Sequence, residues 1–298
     1  MSSRRTQLTS TTDMTIIDGK LVSSETRKQI AAEVAALPQD KCGRIGLAVI
    51  LVGDDPASQV YVRNKINACA EVGIASTLIR MPAESRQEEV LEKITALNAD
   101  PEINGILVQL PLPRHLDESA LLRAIDPAKD VDGCHFVQKG KLWIGEPEVI
   151  PCTPYGVMKL IDYYGIACEG KRAVVIGRSN LVGKPLAQLL LDKNATVTIC
   201  HSRTRDLGAI TREADIVCVA IGVPKFLKAD MVKEGAVVID VGMDRDENGK
   251  LCGDVDYAAV APKCSFITPV PGGVGPMTVT MLLANTVKTY RLQHGLEG

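Results

Sequence analysis

Between Ser23 and Ile150 the apolar positions fall alternately into helical and strand spacing. Ser23 has the chemistry of a helix cap, and the apolar face behind it predicts a helix over 23–37, stopped by Pro38. Residues 44–52 form a run of Ile, Val and Leu with the length and composition of a buried strand. A helix over 57–71, a strand over 74–79, a helix over 86–98 and a strand over 103–109 continue the rhythm, which predicts a parallel sheet. Pro111 and Pro113 follow at once, and since proline cannot donate a ladder hydrogen bond, chain and sheet must part there.

A second alternation begins after Pro151, with a helix over 154–164, a strand over 172–176, a helix over 183–193, and strands over 196–200, 216–221 and 236–241. This order is that of a Rossmann-type dinucleotide-binding domain. A last helix, 277 to about 292, carries Met281, Leu282 and Val287 on an apolar face and is expected to return to the first domain. The expected fold is therefore α/β in two domains. An N-terminal parallel α/β domain spans 14–150 and takes the C-terminal helix in 277–298, and a Rossmann-type dinucleotide-binding domain spans 151–276. At 298 residues the chain has the length of two domains, which suggests a cleft between them. Residues 1–13 hold Arg4, Arg5 and many Ser and Thr, a faint suggestion of a transit peptide, but they lack an amphipathic period and are expected to be a disordered extension.

Composition narrows the partners. Hydrophobic residues at 46% and charged residues at 23% fit a globular protein, and a net charge of −2 supplies no basic field for nucleic acid or an anionic membrane. No apolar run approaches the ~20 residues of a spanning helix. The nine cysteines are odd in number and scattered from Cys42 to Cys264, without metal-ligand spacing. We expect them to be reduced, buried as small apolar side chains, in a cytoplasmic protein that holds no metal and acts on small molecules.

The segment Val175-Ile176-Gly177-Arg178-Ser179-Asn180-Leu181-Val182-Gly183 puts a glycine turn between a strand and a helix, where backbone N–H groups and the helix N-terminus can hold a pyrophosphate. It departs from G-x-G-x-x-G, with Ser179 at the second glycine and Val182 at the third, and alone it serves equally as a plain strand-to-helix turn. The next strand ends in His201-Ser202-Arg203, which offers no carboxylate for ribose hydroxyls. Arg178, Arg203 and the Ser202 hydroxyl could instead donate to an adenosine phosphate, so NADP is expected rather than NAD. Exposed arginines are also common as solvated loop charges, and His201 reads as packing or capping.

In the first domain, Ser58, Tyr61 and Lys65 share one face of a helix at i, i+3 and i+7. By spacing alone such a pair of tyrosine and lysine is surface decoration. Gln109, however, arrives at the carboxyl end of a strand, the edge where open α/β sheets bind ligands. Asp130-Val131-Asp132-Gly133 places two carboxylates in a loop before the crossover, either as a turn or as an acceptor for adjacent ring N–H donors. Pro269-Val270-Pro271-Gly272-Gly273-Val274-Gly275-Pro276-Met277-Thr278 is a stiff, glycine-rich entry to a helix that would let a ligand approach the backbone closely.

Taken together and in this order, these segments and Pro151-Cys152-Thr153-Pro154-Tyr155-Gly156 carry a resemblance. From Met14 onward the chain resembles the bifunctional methylenetetrahydrofolate dehydrogenase/methenyltetrahydrofolate cyclohydrolase (FolD) family. The resemblance implies that Lys65 is catalytic, with Gln109 as its amide partner, Tyr61 packing on the folate and Asp132 anchoring the pterin. It places Ser58, Pro271, Gly272 and Gly273 with the substrate, and Thr153, Gly177, Arg178, Ser179, Ser202, Arg203 and Gly222 with NADP. It further implies one-carbon derivatives of tetrahydrofolate as substrates and a homodimer formed through the cofactor domains. In the implied chemistry a hydride leaves the methylene bridge, whose nitrogens stabilise the resulting cation, and water then attacks with proton transfers suited to Lys65. Two rivals are another two-domain dehydrogenase of the shikimate or amino-acid type, and an NADP-binding sensor without turnover. The first-domain segments, and the joint presence of Lys65, Tyr61 and Gln109, argue against both.

Overall fold

The computed structural model describes residues 14–296; the expected N-terminal extension lies outside the described residues. In chain order the first part holds β1 (Thr15–Ile16), α1 (Gly19–Ala36), the short α2 (Gln39–Cys42), β2 (Gly46–Val52), α3 (Pro56–Val72), β3 (Ala75–Met81), α4 (Gln87–Ala99), β4 (Gly105–Val108), α5 (Glu118–Ala124) and α6 (Phe136–Trp143). The second part holds α7 (Cys152–Tyr163), β5 (Arg172–Ile176), α8 (Gly183–Asp192), β6 (Thr196–Cys200), α9 (Leu207–Arg212), β7 (Ile216–Val219) and β8 (Ala236–Asp240). It closes with the hairpin β9 (Asp244–Arg245) and β10 (Leu251–Cys252), α10 (Tyr257–Val260), β11 (Cys264–Ile267) and α11 (Val274–Gln293).

Two parallel sheets carry the architecture. The first has the order β3-β2-β4, and every residue of its central strand β2 is buried. The second has the order β1-β11-β8-β7-β5-β6. Strands covered on both faces read as unbroken apolar runs, which is why β2, β5 and β8 are plain in the sequence. Thr15 and Ile16 pair in parallel with Phe266 and Ile267 of β11, so the start of the described chain, placed by sequence with the first unit, completes the edge of the second sheet.

Helix starts differ from expectation for local chemical reasons. Asp18, not Ser23, caps α1, accepting from the N–H groups of Lys20 at 2.9 Å and Leu21 at 3.1 Å. Ser23 is buried and shares a 2.7 Å hydrogen bond with Thr280 of α11. The helix therefore starts at Gly19, four residues before the expected cap, because the Asp18 carboxylate satisfies its first free N–H groups. α7 begins at Cys152, which puts Thr153 in its first turn, and α11 begins at Val274 behind Gly273. α11 packs on α7, α1 and α3. Its Tyr290 hydroxyl donates to the Gly43 carbonyl at 2.9 Å, and Asn104 Nδ2 donates to its Gln293 Oε1 at 2.9 Å.

Candidate active site

α3 opens with Pro56 in its first turn, and Asp55 caps it by accepting from the Ser58 N–H at 2.7 Å. Two turns on, Lys65 Nζ donates to Gln109 Oε1 at 2.9 Å. Gln109 stands just past β4, is 8% exposed, and donates through Nε2 to the Leu110 carbonyl at 2.5 Å. With its NH₂ so engaged, the amide must present oxygen to the ammonium group, which orients Lys65 without adding charge. Both Leu110–Pro111 and Val270–Pro271, on either side of the cleft, are cis peptide bonds.

The Asp130–Gly133 loop reaches this point because Asp130 bridges in parallel to Ile106 of β4. Asp130 is 1% exposed and accepts from the His135 N–H at 2.7 Å; burial pushes its carboxyl up to about 6. It builds the loop, and Asp132, half-buried, faces the cavity and accepts from Cys134 Sγ at 3.4 Å. Gly133 has φ +68°, and a Cβ there would stand 2.7 Å from Pro151 N, so glycine is required both for the turn and for the close approach of the segment leading into α7. Asn285 of α11, 2% exposed, locks the same crossover by donating to the carbonyls of Val131 at 2.9 Å and Ile150 at 2.8 Å.

A cavity of about 190 Å³ joins the two halves. Lys65, Gln109, Asp132 and Cys134 line it from one side, and Cys152, Thr153, Leu181, Val182 and Thr278 from the other. Thr153 and Thr278 share a 3.0 Å hydrogen bond that ties the first turn of α7 to the second of α11. Burial pushes the Cys134 and Cys152 thiols well above their ordinary range, so both remain neutral thiols. Further out, the Tyr61 hydroxyl meets the Met243 sulfur across the cleft, and burial raises the phenol above its ordinary value, with Arg245 opposing. Ser58 is only 2% exposed and does not line the cavity, so the structure separates it from Lys65, Gln109 and Asp132.

On the second sheet, Gly177 has φ +129° and passes so close to the Ala220 carbonyl that a side chain would collide. Ser179 Oγ accepts from Val182 N at 3.1 Å and Gly183 N at 3.3 Å, so the serine at the usual glycine position fastens the entry to α8 while its hydroxyl hydrogen stays available. Arg178, Ser202 and Arg203 are exposed. Arg203 N donates to His201 Nδ1 at 3.1 Å, which makes His201 a turn-forming residue. Gly222 lies beyond β7 with φ +66°, and Gly272, with φ +109°, lies between exposed Pro271 and the helix-capping Gly273.

Sequence reasoning missed Met243, Thr278 as a partner of Thr153, and the two cavity cysteines, which the composition argument treated as core. All nine cysteines are free and seven are buried. Among the described residues no group of three His, Cys, Asp or Glu is arranged to hold a metal ion, and no helix is long and apolar enough to cross a membrane.

Comparison with known proteins agrees with this geometry. Residues 17–132 match the tetrahydrofolate dehydrogenase/cyclohydrolase catalytic domain, and residues 151–294 match the NAD(P)-binding domain of the same family. The bifunctional protein FolD of Streptococcus pneumoniae is 60% identical over 271 residues, 91% of this chain and 95% of that protein. The crystal structure of the bifunctional FolD methylenetetrahydrofolate dehydrogenase/cyclohydrolase from Campylobacter jejuni superposes with a TM-score of 0.92 at 49% identity, covering 94% of this chain and 99% of that one. The Trypanosoma brucei methylenetetrahydrofolate dehydrogenase-cyclohydrolase, solved with NADP and an inhibitor, gives a TM-score of 0.90 at 40% identity, covering 96% and 99%. Two matched domains, near-complete coverage and a cleft built from both place this chain in the tetrahydrofolate dehydrogenase/cyclohydrolase family.

Proposed function

We propose that the protein oxidises 5,10-methylenetetrahydrofolate to 5,10-methenyltetrahydrofolate with NADP and hydrolyses that product to 10-formyltetrahydrofolate. The observation that carries this reading is the Lys65–Gln109 pair beside Asp132, in one cavity with the turn before α8. Bound NADP supplies the hydride acceptor. The chain fits it: Gly177 packs on the Ala220 carbonyl and Gly183 on the Gly177 carbonyl, which draws the turn tightly up to the α8 N-terminus where a pyrophosphate would bind, Ser179 can donate its free hydrogen, and Gly222 borders the site. Arg178, Ser202 and Arg203 stand where an adenosine phosphate would lie, with no carboxylate among residues 201–203 to repel it.

On the folate side, Asp132 accepts from the N–H donors of the pterin edge and fixes the reacting carbon near Lys65. Tyr61 and the Pro271, Gly272 and Gly273 backbone flank the remainder of the folate, and Thr153 bounds the inner end of the cleft. Ser58 supports this wall from beneath by starting α3. No side-chain base is needed for hydride loss. Hydrolysis requires a proton to leave the attacking water and another to reach the departing nitrogen, and Lys65, held by Gln109, is placed to carry them.

The catalytic unit comprises 14–150 with α11, save that β1 pairs into the sheet of the cofactor unit, and the cofactor unit takes the rest of 151–276 up to the start of α11. Two protomers associate through the cofactor side. There the exposed Leu191 and Ile199, with Trp143 of α6 facing them, line a 520 Å³ apolar groove, and β6 forms an open sheet edge. The free thiols suit a reducing, cytoplasmic setting, and neither nucleic acid nor membrane is a partner.

The decisive experiment supplies methylenetetrahydrofolate with NADP or NAD and follows reduced cofactor and methenyl intermediate together. NADP reduction with methenyl decay above the spontaneous rate supports both activities. Reduction without accelerated decay leaves a dehydrogenase alone, and no reduction with either cofactor rejects the reading.

A further inference from the structure

Three aspartates meet behind the loop that follows β7. Asp254 is fully buried and accepts from Ile221 N at 2.8 Å, Gly222 N at 3.3 Å and Val223 N at 2.7 Å. Asp240, at the end of β8 and 2% exposed, accepts from Gly242 N, Asp254 N and Val255 N, each at 3.0 Å. The third, Asp244, opens the β9–β10 hairpin. Its Oδ2 is buried, no donor among the described residues reaches it, and its side chain is in hydrogen-bonding contact with Asp254. Gly242 and Gly253 press against the carboxylates of Asp254 and Asp240 so closely that neither could carry a side chain, which fixes these two acids in place.

Two ionised carboxylates cannot share a hydrogen-bonding contact; one must hold a proton. The Asp254 oxygens are committed as acceptors to three loop N–H groups, whereas the Asp244 oxygen has no donor. We infer that Asp244 carries a proton and donates it to Asp254, and that this shared proton holds the hairpin against the 221–223 loop, making Asp244 a positioning residue for the cofactor site. The inference rests on the reading that Gly222 borders NADP. The hairpin also brings Met243 to Tyr61, so the same contact sets one wall of the folate cleft.

The surroundings do not supply a substitute cation. Cys252 pairs with Asp244 in the hairpin, and its thiol is raised by burial and by Asp246 and Asp244. Arg245 donates to the Gly249 carbonyl at 2.6 Å, and Lys225, from the loop after β7, pairs with Asp246 at 3.9 Å. Asp240 lies behind Asp254 and is itself pushed up to about 7, chiefly by burial. Burial, and then the charge of Asp254, raise Asp244 above the ordinary carboxylate value. The native state therefore keeps this proton to higher pH than the unfolded chain does, so the contact holds at low pH and weakens as pH rises through the raised range. When the proton leaves to solvent, Asp244 and Asp254 repel and the hairpin separates from the loop.

The test compares wild type with Asp244→Asn, whose amide donates to Asp254 at every pH, and Asp244→Ala, which removes the titrating group. Hydrogen-exchange protection of the 221–223 amides in the apoprotein should fall with rising pH in wild type, by up to tenfold per pH unit, and stay flat in both variants. Asp240 remains in all three proteins, so a slope caused by it would survive. The same pH slope in wild type and either folded variant overturns the inference. NADP affinity, measured in parallel, should track the protection. If protection follows Asp244 but NADP affinity does not, the shared proton stands and the placement of Gly222 at the cofactor site is rejected.

Discussion

Replacing Lys65 with methionine keeps an unbranched side chain of similar length and removes only the ammonium group. In the structure that group has one side-chain partner, Gln109 Oε1 at 2.9 Å, and Gln109 is 8% exposed with its NH₂ committed to Leu110. The variant leaves one buried carbonyl oxygen without this donor, a cost of about 1–3 kcal/mol in stability. Loss of a positioned proton carrier costs roughly 10²–10⁴ in rate, or about 3–5 kcal/mol of barrier. The two effects separate by assay: denaturant unfolding reports the first, and decay of authentic methenyltetrahydrofolate reports the second. Cyclohydrolase activity should fall to the spontaneous rate, with dehydrogenase activity impaired less because hydride loss needs no base. Lys65→Arg sharpens the argument, since a guanidinium keeps the charge but cannot give up a proton. It should retain more of the dehydrogenase activity while losing hydrolysis as fully as the methionine variant. Hydrolysis at the wild-type rate by Lys65→Met refutes the assignment.

Asp132→Ala should weaken folate binding by roughly tenfold or more, the worth of a charge-assisted hydrogen bond of about 1.5–3 kcal/mol, and unchanged affinity in a fluorescence titration would reject its role as pterin anchor. Asn285→Leu strips donors from two carbonyls and should cost roughly 2–4 kcal/mol in urea unfolding; a variant as stable as wild type would mean that the crossover is held elsewhere. Asp130, pushed up to about 6 by burial, keeps its proton in the native state above the pH at which the unfolded chain releases it. Stability should therefore decline between about pH 4 and 6, by roughly 3 kcal/mol at most, and Asp130→Asn should flatten that decline in unfolding curves taken across the range.

What the sequence made legible follows from how local each signal is. β5 is bounded as the apolar run 172–176 indicates, because a buried parallel strand announces itself through composition, and β6, an exposed edge strand, is bounded at 196–200 through its β-branched residues. Lys65 and Gln109 are visible as a helix face and a strand end, but that they touch is a fact of packing. β1 could not be read: two residues show no period, and Thr15 and Ile16 become a strand only by pairing with Phe266 and Ile267. α6 hides for the opposite reason, since Phe136, Trp143 and Ile144 are apolar yet exposed, so its pattern points to no core. Met243 reaches Tyr61 from the far side of the cleft with no local mark in either segment. Cys134 and Cys152 obey the rule that free cysteines are buried, and the rule itself conceals that the place of burial is the cavity wall.

The pairing of β1 with β11 also orders events during synthesis. The two strands lie about 250 residues apart, and at ribosomal speeds of about 5–20 residues per second the first must wait roughly 12–50 s for the second. In that interval β2, β3 and β4 can already assemble, since all their partners lie within residues 46–108. The nascent chain thus carries a finished small sheet flanked by an unsatisfied edge strand. That strand is two residues long, with Thr15 as one of them, which gives neighbouring chains on the same message little to pair with while it waits.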